Sequence, residues 1–344
     1  MIHLFEGNTA DEIWRQAADD LIHIEMNSLQ ASRLGPMRER MHSALHLRDP
    51  RQRWVLSRRP AINPAFAIAE LVWILQGRND AAFLNYWNPA LPNFAGHGDS
   101  YHGAYGYRLR RHLGVDQLER AYQILASNPD SRQVVLQIWD TRIDLPNPDG
   151  TARNADIPCN VMAMPKIRAG KLEWLQVMRS NDLFLGTPHN FVQFTSLQEI
   201  MAGWLGVEVG SFVLMADSLH LDNSDIEKLA VAERTPLTAN NDRLDLKKNE
   251  FDRVLALLGE AMDEFRSASL LPIRFVQLIE RNDLPIAWHN LLRIVAADSA
   301  RRRNWRDEIK LVSSSNTNLM LDAAWRAWEE RCEPFSAGEA KLLK

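Results

Sequence analysis

Cysteine is nearly absent. Cys159 and Cys332 are the two in a chain of 344 residues, and they stand too far apart for a CxxC redox pair or a metal-ligand spacing. A disulfide scaffold is excluded, and each cysteine must be explained alone. Long apolar runs are also missing: the longest are broken by Glu, Gln or Arg within a few positions, short of the ~20 consecutive apolar residues that cross a bilayer. The start, MIHLFEGNTADEIW, has no basic stretch leading into an apolar core. No secretory leader and a cytoplasmic location are therefore expected. Nor is there an excess of either charge. A formal net charge of −4 draws in neither nucleic acid nor an anionic membrane as a whole, so anionic ligands must be met by particular arginines. Repeats and low-complexity tracts are absent, and 16 Gly with 16 Pro are too few for a collagen-like or disordered chain.

What is present is an enzyme-sized mixture of helix and strand signals. Apolar positions at helical spacing predict a first helix over 9–31, with Asn8 or Thr9 as cap. PAINPAFAIAELVWILQG, 60–77, reads as a buried helix carrying one carboxylate, Glu70. The Gly- and aromatic-rich NPALPNFAGHGDSYHGAYGYR that follows reads as a long functional loop. Helix is expected at 115–127 and a central strand at RQVVLQIWD, 132–140. After a loop over 145–158, strands at about 159–167 and 172–179 flank the turn IRAGK. A helix over 189–205 and a strand over 207–222 come next, and the C-terminal third is largely helical. Strands and helices mix throughout, which favours one α+β domain over 1–344.

Three places carry chemistry on their own terms. VMRSNDLFLGTPHNF, 177–191, gathers Arg179, Ser180, Asn181, Asp182, His189 and Asn190 at a strand-to-helix junction. A guanidinium beside a hydroxyl suits a phosphate, and an amide such as Asn190 suits a base edge. A capped turn with surface charges is the plainer alternative. Glu70 is either a costly buried acid with a task or a residue at the helix margin. Cys159 is either a nucleophile or a small buried hydrophobe.

Six stretches then occur in the order of the motifs of thymidylate synthase: ELVWILQG (70–77), YGYR (105–108), DSRQVV (130–135), PCN (158–160), RSNDLFLGTPHN (179–190) and DSLH (217–220). Over roughly residues 30–225 the chain resembles that family. The resemblance implies a mixed β-sheet packed with helices, a sheet-to-sheet homodimer, and 5,10-methylenetetrahydrofolate as one-carbon donor to a pyrimidine nucleoside monophosphate, dUMP or UMP being favoured. From charge, cysteine spacing and apolar runs, no metal, nucleic acid or membrane is expected. By the same resemblance Cys159 is the nucleophile toward carbon 6, Glu70 the acid/base carboxylate, and Tyr105 and Asp182 active-site residues, the latter near the folate. Asn190 reads the base. Arg33, Arg179, Ser180 and Arg132, the last from across the dimer, bind phosphate. His220 touches the sugar, and Asp222 stands at a sugar-contacting position.

Departures from the family pattern are numerous. Asn160 stands where His is usual after the cysteine, His189 where Phe precedes the base-reading Asn, and Gln133 in place of a second arginine. Asp222 replaces a tyrosine and Ser218 an acid, and a divergent, mainly helical C-terminal region begins at about 235. A changed tail that leaves the site wet would let water replace hydride, so both a 5-methyl and a 5-hydroxymethyl product are open. The rival from another class is a non-catalytic nucleotide-binding protein on the same fold. The basic run ARRRNWRDEIK reads as a solvated helix face rather than a nucleic-acid site.

Overall fold

One mixed, seven-stranded sheet organises the computed structural model, which describes residues 2–25, 29–32, 35–229 and 238–332. Its strands are β1 (His3–Gly7), β2 (Gln30–Ser32), β3 (Gly35–Leu47), β4 (Leu136–Gln137), β5 (Asn160–Arg168), β6 (Lys171–Asp182) and β7 (Glu208–Asp222). Their order is β1-β3-β7-β6-β5-β4, with β2 paired to β3. β1 with β3 and β6 with β7 run parallel; the other pairs are antiparallel. The β5–β6 hairpin turns at Ala169 and Gly170, whose φ angles of 49° and 74° give the left-handed pair that matches strand twist.

Alternation fixes the two faces of the sheet. Leu172, Trp174, Gln176 and Met178 of β6 and Phe212, Leu214 and Ala216 of β7 are buried. The Gly186–Leu205 helix covers that face and stops at Gly206, which takes the left-handed cap conformation at φ 67°. On the opposite face, Met162, Met164, Leu175, Val177, Val213 and Met215 stand in register across three strands and are only half-buried.

The Pro64–Leu75 helix begins where the Asn63 side chain accepts the N–H of Ala65 at 2.9 Å and of Phe66 at 3.2 Å. It packs between the Gly186–Leu205 helix and the C-terminal helices Lys248–Arg266, Ile286–Arg302 and Leu319–Cys332. Contact on all sides explains why it is apolar all round. Among the described residues, no helix is long and apolar enough to cross a membrane.

Two expectations fail for physical reasons. The first helix is Ala10–Ile22, closed at its start by a capping box between Thr9 and Glu12, and not 9–31. Ile24 still packs inward, but from a turn. The stretch 132–140 pairs only at Leu136–Gln137, on the sheet edge, so it is no central strand. Its alternation reports the burial of Val134, Leu136 and Ile138. The Gln117 side chain stands in for a neighbouring strand: its Oε1 accepts the Gln137 N–H at 2.7 Å and its Nε2 donates to Gln137 O at 2.9 Å.

The loop over 101–108 is pinned from below. Arg108 and Asp144, both fully buried, form a two-pronged ion pair at 2.6 and 2.9 Å, and Arg108 also donates to the His102 carbonyl at 2.8 Å. Gly106 lets this loop cross the Pro64–Leu75 helix, since a Cβ there would lie 2.2 Å from Ile74 O. Tyr105 is thereby pressed against the helix that carries Glu70.

Candidate active site

The start of β5, the end of β6 and the start of the Gly186–Leu205 helix converge. Cys159 is half-buried just before β5, and its carbonyl accepts the Arg179 N–H at 2.9 Å. The Arg179 guanidinium donates to Pro158 O at 2.9 Å and to Ile157 O at 3.2 Å, and lies 4.0 Å from the Cys159 sulfur. The ring of Trp139 stands 5.7 Å from the same guanidinium. Nη1 of Arg179 makes no hydrogen bond among the described residues and is free for an anion.

The register of β6 on β7 sets the next group. Asp182 faces His220, and Ser180 Oγ lies 3.4 Å from His220 Nδ1. Asp182 Oδ1 accepts the N–H groups of Phe184 and Leu185, both at 2.7 Å, which shapes the turn into the helix and leaves the second carboxylate oxygen without a hydrogen bond among the described residues. Burial raises the Asp182 pKa against these two bonds and the His220 charge, and Asp222 adds to the rise. Asp222 is buried at the end of β7, where it accepts a bond from Ser32 Oγ at 3.3 Å. Asn190 is buried with Nδ2 donating to Asn181 Oδ1 at 2.9 Å, while its own Oδ1 takes no hydrogen bond among the described residues.

Two helices build the opposite wall as a ladder. Gln193 Nε2 donates to Glu70 Oε2, and one turn back the His189 and Phe66 rings meet edge to face at 5.1 Å. Burial pushes the Glu70 carboxyl up to about 7 against that bond, and the charge of Asp156 raises it further. Burial, with the charge of Arg58, lowers His189 to about 3, so its imidazole is neutral at physiological pH. Its buried Nδ1 has no partner among the described residues. Tyr105 is held well above the ordinary phenol value by burial and by the charges of Cys159, Asp156 and Glu70, so it stays protonated.

The structure therefore gathers Cys159, Arg179, Ser180, Asp182, His220 and Asp222 along the strand ends, with Asn190, Glu70 and Tyr105 against them. It does not gather Arg132, which is exposed and makes no hydrogen bond or ion pair among the described residues. Arg33 lies outside the described residues. Sequence reasoning missed two neighbours. Gln193 sits four residues past His189 on the same helix face, a spacing that could have exposed it. Asp156 gave no signal, being one more polar residue in an Asn- and Asp-rich loop.

Comparison with known proteins gives the family. The thymidylate synthase sequence profile matches residues 49–264, which run through Glu70, Cys159 and Asn190 into the Lys248–Arg266 helix. A deoxyuridylate hydroxymethyltransferase of Bacillus phage SP01 is 33% identical over 231 residues, covering 64% of this chain and 59% of that one. Another of the same name, from Pseudomonas phage M6, is 35% identical over 170 residues, or 49% and 47% of the two chains. A putative thymidylate synthase of Methanothermobacter marburgensis is 33% identical over 117 residues, or 34% and 49%. The chain spans about half to three fifths of the length of these curated relatives. With more than half of its residues inside the family profile and the site residues held together as described, the chain belongs to the thymidylate synthase family.

Proposed function

We propose that the chain transfers a one-carbon unit from 5,10-methylenetetrahydrofolate to carbon 5 of deoxyuridylate and leaves a hydroxymethyl group there. The observation that carries the reading is Cys159 set 4.0 Å from the Arg179 guanidinium, with Asn190, whose Oδ1 takes no hydrogen bond among the described residues, held by Asn181 at the end of the same strand β6. Cys159 adds its sulfur to carbon 6 of the ring, making carbon 5 nucleophilic. Asn190 Oδ1 accepts the ring N3–H of uracil; cytosine carries no hydrogen there. Nη1 of Arg179, with Ser180, takes the phosphate, and Arg33 joins them. His220 and Asp222 face the sugar. Glu70, poised near neutrality, serves the C4 carbonyl as acid and base. The name carried by the two phage relatives favours deoxyuridylate and the hydroxymethyl product.

The residues fit a folate. The Asp182 carboxylate oxygen that takes no hydrogen bond among the described residues suits the N–H groups of a pterin, and the His189 ring, backed by the buried Phe66, carries a nitrogen with no partner among the described residues. When bound, the folate supplies the one-carbon unit. The half-buried apolar face of β5, β6 and β7 supports a homodimer joined sheet to sheet, with Arg132 reaching the partner's phosphate site.

Mass spectrometry of the protein incubated with methylenetetrahydrofolate and dUMP, UMP, dCMP or CMP tests the reading. A hydroxymethyl product from dUMP with tetrahydrofolate released is expected, and Cys159→Ala should bind dUMP and yield nothing. A 5-methyl product with dihydrofolate would favour the methylating alternative, which the putative thymidylate synthase relative supports.

A further inference from the structure

Hydride and water differ, as attackers, by one proton. Hydride arrives with its electron pair and leaves nothing behind, whereas water must lose a proton as its oxygen bonds to carbon. A hydroxymethylating site therefore needs one more proton acceptor than a methylating one. Glu70 is committed elsewhere: as the donor to the C4 carbonyl it cannot take a proton in the same step.

A second carboxylate stands in the same site. Asp156 lies three residues before Cys159, on the loop whose next two carbonyls are held by Arg179. Its Oδ2 accepts the Gly103 N–H at 2.7 Å, and its own N–H is held by Asn154 Oδ1 at 3.0 Å. Gly103 makes the close approach possible, since a Cβ there would lie 3.0 Å from Asp156 Oδ1. The anchor is rigid from beneath through the Arg108–Asp144 pair, which also holds His102. From that position the charge of Asp156 is felt by Glu70, Tyr105 and Tyr101.

We propose that Asp156 is a catalytic base of this protein, accepting the proton of the water that attacks the methylene group on carbon 5. The inference rests on the hydroxymethylating reading above. The water oxygen bonds to the methylene carbon, and the electron pair of the exocyclic double bond moves onto the C4 oxygen. The proton passes to Asp156. The enolate then restores the C5–C6 double bond and expels the Cys159 sulfur as thiolate, with no oxidant or reductant consumed.

The environments of the two acids divide their roles. Burial raises the Asp156 pKa, with Asp144 adding to the rise, but the Gly103 N–H and the charges of His102 and Arg108 favour its ionised form. Glu70 has the Gln193 amide in its favour and sits at about 7. Two nearby carboxylates that share a site tend to hold one proton between them, and this arrangement puts it on Glu70.

Asp156→Asn keeps an oxygen for Gly103 and loses the base; Asp156→Ser is the second variant. Three quantities are measured for each with dUMP: hydroxymethyl product over many turnovers, release of the C5 hydrogen in a single turnover with enzyme in excess, and the dUMP Kd without folate. Product should fall about 100-fold or more, while hydrogen release and Kd stay within about threefold of wild type. An added alkyl thiol, which attacks as its anion and needs no base, should capture the methylene as a thioether in the variants. Unchanged product formation overturns the proposal, as does parallel loss of hydrogen release or of dUMP binding. If the wild-type protein itself yields 5-methyl product and dihydrofolate, the hydroxymethylating reading has failed, and that result is seen before any variant is compared.

Discussion

Arg179 is bound to the loop that carries Cys159 at three points: Pro158 O at 2.9 Å, Ile157 O at 3.2 Å, and the Cys159 sulfur at 4.0 Å. One side chain thus fixes the position of the sulfur and places positive charge beside it. A thiolate is the attacking form, and a neighbouring cation stabilises it.

Separating those two effects needs two substitutions. Arg179→Ala should slow alkylation of Cys159 by iodoacetamide about tenfold and weaken dUMP binding, through loss of a charge-assisted contact of about 1.5–3 kcal/mol. Arg179→Lys keeps the charge but not the fork. It should recover alkylation and leave turnover low. Equal alkylation of Ala and Lys variants would mean that the charge beside the sulfur is immaterial.

Glu70 makes a prediction whose sign is fixed by its burial. Its folded pKa is about 7, raised from 4.5. The protonated form is therefore favoured by folding, and stability from this group is full below about 4.5 and is lost as pH rises to 7. Glu70→Gln should be more stable than wild type above pH 7, on the order of 2 kcal/mol, with the advantage fading at pH 4.5. Thermal melts at the two pH values decide it. Turnover in the wild type should fall as pH rises through 7, and the variant should lose about 100-fold or more.

How much of this was legible in the residues differs from one to the next. Glu70 stood out as a lone carboxylate in an apolar helix, but a place at the helix margin was equally open from the residues; the ordered motifs singled it out, and the Gln193 contact shows how it is served. Cys159 was not readable from its neighbours; only the ordered motifs singled it out, and the Arg179 contact gives the physical reason. Asp156 was hidden, since its task depends on Gly103, a residue far along the chain that the fold brings to 2.7 Å. The supposed central strand misled because alternation reports burial, and Gln117 satisfied its backbone in place of a strand. β3, written GPMRERMHSALHL, is too polar to announce itself and is held by its partners β1 and β7.

The Arg108–Asp144 pair offers a stability prediction apart from the chemistry. Both side chains are fully buried, and Asp144 also takes the His102 ring at 2.8 Å and the Asp140 N–H at 2.8 Å. Removing one partner strands a charge in the interior. Asp144→Ala should lower stability by about 3–5 kcal/mol, read by urea denaturation. A cost near zero would mean that water reaches Arg108 and that the 101–108 loop is not anchored by it.

The open face of the sheet makes the last prediction. Met164 pairs with Leu175, which pairs with Val213; Met162 pairs with Val177, which pairs with Met215. These two apolar rows cross β5, β6 and β7 on the side away from the Gly186–Leu205 helix, where a soluble monomer would place polar residues. Covering them by a second copy removes the apolar rows from water. Val177→Glu puts a charge at the centre of the patch, directly opposite Met162 and Met215, where a twofold contact would also bring the same charge from the other copy close by. The variant should sediment as a monomer where the wild type sediments as a dimer. If Arg132 acts across that contact, Val177→Glu should also lose dUMP affinity although residue 177 lies outside the nucleotide contacts. A dimeric variant with unchanged affinity would place the contact on another surface, and a monomeric wild type would remove it; either result returns Arg132 to the solvent.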